Sequence, residues 1–335
     1  MTAPWVVRLP TWLGDTVMAL PALRRVARAT QAPLLLWGSP AFEELLSHTE
    51  LQFNYLPYRR RPGIAGVSDA LRTVSALRSH HAAAALLLPN AFEPALLTRL
   101  AGIPRRIGYA TDGRGPLLTE TVAEPVPRHA VHEADRFARL GEYAGGGSAL
   151  PEDTLLAPTE ALRRRSLEVL PPGDYLGIVA GSANGPARRW PTTAYAELAG
   201  LAHQHWGAGV ALLGSDADRA TNAVIGDTAN VEAIDLSGCS LSDLMAALLR
   251  CRVVVSNDTG AAHLAAALGR PTVVLFGPTN PQRSAPRGDH VAALSRGDFC
   301  QPCGYRNCPL DHRCLIDLSP ATVLEAAQPF WQQHA

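Results

Sequence analysis

The chain has 335 residues, with 30 basic against 30 acidic side chains, so its formal charge is zero. That balance excludes wholesale electrostatic capture of nucleic acid or acidic lipid and leaves only local basic patches. With 47% hydrophobic and 18% charged residues the chain is globular rather than disordered, and its length predicts about two domains.

Every basic residue is arginine; lysine is absent, which excludes Schiff-base chemistry and a P-loop lysine. No apolar run approaches the ~18–20 residues that span a bilayer. The start, MTAPWVVRLPTWLGD, lacks the basic region and long apolar core of a secretory signal, so a cytoplasmic protein is expected.

In chain order, apolar runs predict strands at Trp5–Leu9, Leu34–Trp37, Gln52–Leu56, Ala83–Leu88 and Arg106–Tyr109. Further strands are predicted at Leu176–Ala180, Val210–Leu213, Arg252–Ser256 and Thr272–Phe276. Helical periodicity falls between them, at Thr16–Ala29, Val67–His80, Ala130–Tyr143, Thr193–Trp206, Leu241–Arg250 and Gly260–Leu268. Strands that alternate with helices and are apolar on both faces predict an α/β fold of parallel, doubly covered sheets. Gly145–Gly147 and Pro171–Gly173 bracket a polar helix with Arg163–Arg165, whose arginines read as a solvated face. The expected division is a domain at 1–150, a linker region at 151–172, a second domain at 173–318 and a terminal helix at 319–335. Ligands sit beyond the carboxyl ends of such strands, so two domains of this kind predict a cleft between them.

The chemistry collects at strand ends. After the first strand comes Pro10-Thr11-Trp12-Leu13-Gly14-Asp15, where Gly14 permits a tight turn and Asp15 is either a helix N-cap or an exposed carboxylate at the helix start. The dinucleotide fingerprint GxGxxG is missing, which argues against a dehydrogenase. The stronger motif is Ser256-Asn257-Asp258-Thr259-Gly260-Ala261-Ala262-His263. Small residues and free amides at a helix N-terminus form an anion site; Thr259 adds a hydroxyl, and His263 lies one turn on. Asp258 either caps that helix or reaches a ligand. The loop Gly277-Pro278-Thr279-Asn280-Pro281 is also small and polar. Gly181–Pro191 offers Arg188 and Arg189 for bidentate phosphate contacts or as solvated surface, and Asp216 stands where a ribose would be gripped. Cys300, Cys303, Cys308 and Cys314 crowd into fifteen residues. That spacing suits a structural Zn²⁺ or Fe–S site, with His312 able to replace a thiol, or simply a loop of reduced thiols.

The blocks TWLGD with MALPALR, LPNAFEPAL, RLAGIPRRIGY, GPARRWP, NDTGAAHLAAALGRPTVVLFGPT and CPLDHRCLIDLSP cover nearly the whole chain. They resemble glycosyltransferase family 9, the ADP-heptose:lipopolysaccharide heptosyltransferases, and its heptosyltransferase II branch in particular. The resemblance implies the GT-B architecture: two Rossmann-like, doubly wound parallel-sheet domains facing across a cleft, with the acceptor on the first and the nucleotide sugar on the second. It implies a catalytic aspartate at Asp15. It places donor binding on Thr11, Gly14, Arg188, Asp216, Asp258, Thr259, Gly260 and His263. Arg188 stands where the family usually has lysine, which keeps the charge and changes its shape.

The implied reaction is inverting transfer of heptose from ADP-heptose to a lipopolysaccharide inner-core acceptor, with no cofactor required. The implied partners are that donor, that acceptor and peripheral contact with the cytoplasmic face of the inner membrane, with no nucleic acid. Another nucleotide-sugar donor or acceptor, and a binding protein that has lost catalysis, stay open at this point. Arg59–Arg61 and Arg105-Arg106 could meet phosphorylated core sugars or the anionic leaflet, or be solvated.

Overall fold

The computed structural model describes residues 3–125, 127, 130–145 and 154–333. It divides into two compact units, the first ending at Thr154 and the second beginning at Leu155. Gly146, Gly147 and positions 151–153 of the expected linker lie outside the described residues.

The first unit runs β1 (Trp5–Arg8), α1 (Leu13–Met18), α2 (Leu20–Thr30), β2 (Leu34–Gly38), α3 (Ala41–Ser47), β3 (Phe53–Pro57) and α4 (Gly63–Ser79). It continues with β4 (Ala84–Leu87), α5 (Phe92–Leu100), β5 (Arg105–Tyr109), β6 (Glu120–Val122) and α6 (Glu133–Tyr143). Its six strands lie in the order β3-β2-β1-β4-β5-β6, all paired in parallel. β2 and β4 are buried along their whole length, as their unbroken apolar sequences require, whereas the edge strand β3 is half-buried at Phe53, Tyr55 and Leu56 and exposed at Asn54 and Pro57. The single helix expected at 16–29 is two. Pro21, in the first turn of α2, has no N–H to offer the preceding turn, and the helix is interrupted at Ala19.

The second unit runs α7 (Glu160–Val169), β7 (Tyr175–Val179), α8 (Thr192–Trp206), β8 (Gly209–Leu213), α9 (Arg219–Ala229), β9 (Ala233–Asp235) and α10 (Leu241–Arg250). It closes with β10 (Cys251–Asn257), α11 (Gly260–Ala267), β11 (Thr272–Leu275), α12 (Pro281–Ser284), β12 (Val291–Leu294), α13 (Arg313–Ile316) and α14 (Pro320–Gln333). The strand order is β12-β11-β10-β7-β8-β9, again wholly parallel. The polar helix of the expected linker is α7, which belongs to this unit: Leu162 is buried and Arg165 bridges to Asp243 of α10 at 2.7 Å. α14 lies over β10 and β11 and packs on α8, where Trp331 stacks on Trp206 at 4.8 Å.

Numbered within each unit, the two sheets share one order. The first strand lies between the second and the fourth, so β1/β4 and β7/β10 are the points where the winding reverses. Loops beyond those strand ends are where such a fold binds ligands.

Candidate active site

In the first unit the reversal point is framed by the loops after β1 and β4. Asp15 is not the N-cap of α1. Trp12 holds that position with extended backbone (φ −98°, ψ 145°), and Asp15 falls inside the first turn, half-buried. The turn is closed by Thr16, whose N–H and hydroxyl both donate to the Trp12 carbonyl at 3.0 Å. Asp15 therefore stands at the positive end of a helix dipole, where a carboxylate's charge is favoured by about 0.3–1 kcal/mol. Gly14 is buried beside it, and Thr11 and Trp12 are exposed.

Two buried arginines hold these loops, and neither was singled out from sequence. Arg8, the last residue of β1, lies over the rings of Trp37 (5.0 Å) and Tyr58 (5.3 Å) and donates to the carbonyls of Leu9 (2.9 Å) and Trp37 (3.1 Å). Burial pulls its pKa below the usual arginine value, against the pull of Tyr58, Tyr55 and Glu93. The signal was a single charge inside the apolar run Trp5–Leu9. Arg114 is fully buried and donates to the carbonyls of Tyr109 (2.8 Å), Pro89 and Ala91 (3.4 Å), which ties the loop after β4 to the end of β5. Burial pushes its pKa down to about 10.

In the second unit three strand-end loops meet at one carboxylate oxygen. β10 ends at Asn257, and Thr259, not Asp258, takes the N-cap position of α11 (φ −140°, ψ 168°). The Thr259 side chain makes no capping hydrogen bond; its hydroxyl lies 3.2 Å from that of Ser256. Gly260 and Ala261 leave the first turn uncluttered, and the His263 side chain is buried one turn further on. Asp258 is thereby released to point elsewhere. Its Oδ2 accepts from Arg188 Nη1 at 3.1 Å and from the Thr279 hydroxyl at 2.7 Å. Arg188 comes from the loop after β7 and Thr279 from the loop after β11, so three strand ends converge here. Burial raises the Asp258 pKa above the ordinary carboxylate value, and the Thr279 hydrogen bond and the Arg188 charge oppose that rise.

Asn257 fixes the geometry from beneath. Its Oδ1 accepts from the Trp190 N–H and the Tyr195 hydroxyl, both at 3.0 Å, and its Nδ2 donates to the carbonyls of Ala180 (2.7 Å) and Gly181 (3.3 Å). Burial pushes the Tyr195 phenol well above its usual range, so it is a donor throughout.

The other candidates have partners other than Asp258. Arg189 turns back to the Ser182 carbonyl at 3.2 Å and so serves its own loop. Asp216 is exposed on the turn after β8 and pairs with Arg219 at 3.0 Å. The buried acid of that turn is Asp218, whose Oδ2 accepts from the Ser215 N–H (2.9 Å) and hydroxyl (2.7 Å). A Cβ on Gly181 would lie 2.3 Å from that carboxyl group, so only glycine fits there. The six cysteines are free thiols, and among the described residues no three His, Cys, Asp or Glu side chains are grouped to hold a metal ion.

Comparison with known proteins identifies the family. The model of glycosyltransferase family 9 (heptosyltransferase) matches residues 70–313. The chain is 30% identical to lipopolysaccharide heptosyltransferase 2 of Salmonella typhimurium, over 94% of this chain and 95% of that one. It is 29% identical to the enzyme of the same name from Escherichia coli K12, with the same coverage. Among solved structures, E. coli ADP-heptose lps heptosyltransferase II superposes with a TM-score of 0.81 at 25% identity, covering 98% of this chain and 99% of that one. A Veillonella parvula family 9 structure shares the fold at a TM-score of 0.86 and 19% identity, covering 99% and 98%. The two parallel sheets, each with its helices, are thus those of the GT-B heptosyltransferases, and the chain belongs to glycosyltransferase family 9.

Proposed function

We propose that this glycosyltransferase moves heptose from ADP-heptose to a lipopolysaccharide inner-core acceptor, in the manner of heptosyltransferase II. The observation that carries the reading is the convergence of Arg188 and Thr279 on the buried Asp258, beside the N-terminus of α11. That arrangement offers a guanidinium, a hydroxyl and free backbone amides to a diphosphate at a sheet reversal point. In this reading Arg188, Asp258, Thr259, Gly260 and His263 hold the ADP moiety, Asp216 meets the ribose, and Thr11 and Gly14 shape the loop beside the reacting sugar.

The reaction is a single displacement with inversion. The Asp15 carboxylate accepts the proton of the acceptor hydroxyl while that oxygen bonds to the anomeric carbon. The bond from that carbon to the diphosphate oxygen breaks, and ADP leaves with the electron pair. General-base assistance contributes about 10²–10⁴-fold, and fixed charges at the leaving group at least as much. The leaving charge is met by Arg188 and the helix N-terminus, so transfer needs no metal. Activity should survive exhaustive chelation, and a loss restored by a divalent cation would overturn this point.

Among the described residues no helix is long and apolar enough to cross a membrane. Contact with a lipid-borne acceptor is proposed at α4. Ile64, Val67 and Leu71, at i, i+3 and i+7, are 90%, 61% and 65% exposed, and Arg59 and Arg60 stand exposed just ahead of the helix. An apolar stripe flanked by arginines suits the surface of an anionic bilayer. The whole reading is tested by incubating the protein with ADP-heptose and truncated core acceptors and weighing the products. An acceptor heavier by one heptose is expected; transfer only from UDP- or GDP-sugars would replace the donor.

A further inference from the structure

The loop that carries Arg188 and the loop that carries Thr279 are both held by a third segment, residues 298–316, which contains all four clustered cysteines. On the first loop, the Ala187 N–H donates to the Arg306 carbonyl at 3.1 Å, and His312 Nε2 lies 2.7 Å from the Ala187 carbonyl. A carbonyl only accepts, so Nε2 carries the proton. Gly185, at φ +112°, completes the fit: a Cβ there would lie 2.6 Å from the Arg306 carbonyl oxygen. On the second loop, Gln301 Nε2 donates to the carbonyls of Gly277 (2.6 Å) and Phe276 (3.2 Å), and the Gly304 N–H donates to Pro278 at 2.8 Å. The Gln301 amide is oriented by the Asp298 N–H, which donates to Oε1 at 2.8 Å.

The segment is itself anchored. Arg296 pairs with Asp298 (3.4 Å) at its start and with Asp317 (3.2 Å) just past its end, and Cys314 and Leu315 are buried in the second unit's core. The bonds fall next to the residues that matter. Ala187 precedes Arg188, Pro278 precedes Thr279, and both of those side chains end on Asp258 Oδ2.

We infer that segment 298–316 is a brace that presses Arg188 and Thr279 onto Asp258, and that Gln301 and His312 are positioning residues for the donor diphosphate. They touch no reacting atom; they set the approach of the two loops that do. The inference rests on the proposal that this junction holds ADP.

The test compares ADP affinity by calorimetry and donor and acceptor KM in Gln301→Ala, Gln301→Glu, His312→Ala and His312→Gln. Loss of one orienting hydrogen bond should weaken ADP and raise the donor KM by about tenfold. The acceptor KM should stay within about twofold, because that substrate is bound elsewhere. His312→Gln keeps an N–H and should recover most of the loss, whereas Gln301→Glu turns a carboxylate toward two carbonyls and should behave like the alanine variant or worse. ADP should also slow alkylation of Cys303 and Cys308 by N-ethylmaleimide in the unaltered protein, by about threefold or more, since a filled site stiffens the brace. ADP affinity and donor KM unchanged in folded alanine variants would overturn the brace, as would alkylation rates indifferent to ADP. Equal rises in donor and acceptor KM with a lowered Tm would reduce the segment to scaffolding. If the unaltered protein fails to bind ADP, the donor assignment falls instead, and the two failures are told apart by that control.

Discussion

Asn257 accepts the backbone N–H of Trp190 on its side-chain oxygen at 3.0 Å. The residue just before Asp258 thus holds the chain two places beyond Arg188, and the ion pair above it inherits its register from this buried bond. Asn257 is fully buried and uses both ends of its amide, so Asn257→Ala leaves several buried groups unpaired. The expected cost is about 2–3 kcal/mol, on the order of 5–10 °C in Tm for a unit of this size. Asn257→Asp should be no milder, because an oxygen would then face the Ala180 carbonyl. A calorimetric scan checks both.

Asp258 should trade stability for binding. Burial raises its folded pKa above the unfolded value of 3.8, so the penalty for burying its charge is absent at more acid pH. That penalty develops as pH rises through the raised pKa. Asp258→Asn should therefore be more favourable to stability, relative to the parent, at pH 7 than at pH 3, while ADP binding weakens. Denaturant titrations at the two pH values, with a parallel ADP titration, measure this. A variant less stable at pH 7 than at pH 3, relative to the parent, would contradict it.

Asp15→Asn should lower kcat by about a hundredfold or more and leave ADP affinity near that of the parent. Its position inside the first turn, rather than at the cap, means that the amide replaces the carboxylate without loss of a capping side chain. Product formation under saturating donor decides it; near-normal turnover would remove Asp15 from the mechanism.

For α4, Ile64→Asp with Val67→Asp should reduce sedimentation with phosphatidylglycerol vesicles by about tenfold, with little change for phosphatidylcholine alone. Both side chains are exposed, so Tm should hold and turnover of a detergent-free truncated acceptor should persist. Undiminished sedimentation would move the membrane contact elsewhere.

The strand ends that carry the site were legible because buried parallel strands are unbroken apolar runs, and polar residues stand out where they stop. The missing pieces were local and weak. β6, β9 and β12 are three or four residues long and partly exposed, so they carry no periodicity to read. Pro21 in MALPALR was the visible sign of the break between α1 and α2. At the site, Asp258, Thr259 and Arg188 were readable from a loop-then-helix pattern. Their meeting was not, since Arg188 and Asp258 are 70 positions apart and Thr279 is 21 positions beyond Asp258. Thr279 was visible only as a member of a polar loop. Gln301 and His312 act through backbone carbonyls of other loops, a tertiary relation with no sequence signature.

Every strand pairing described in both sheets is parallel, so no hairpin is available to start either one. The pairing that seats β10 beside β7 has to wait until α8, β8, α9, β9 and α10 have been laid down between them. Such high-contact-order closure is slow, and transient open edges invite association with other chains. Until it occurs Arg188 has no Asp258 to meet. A refolding chain should therefore acquire nucleotide affinity in its last and slowest phase, and nucleotide added during refolding should deepen the final well without hastening entry into it.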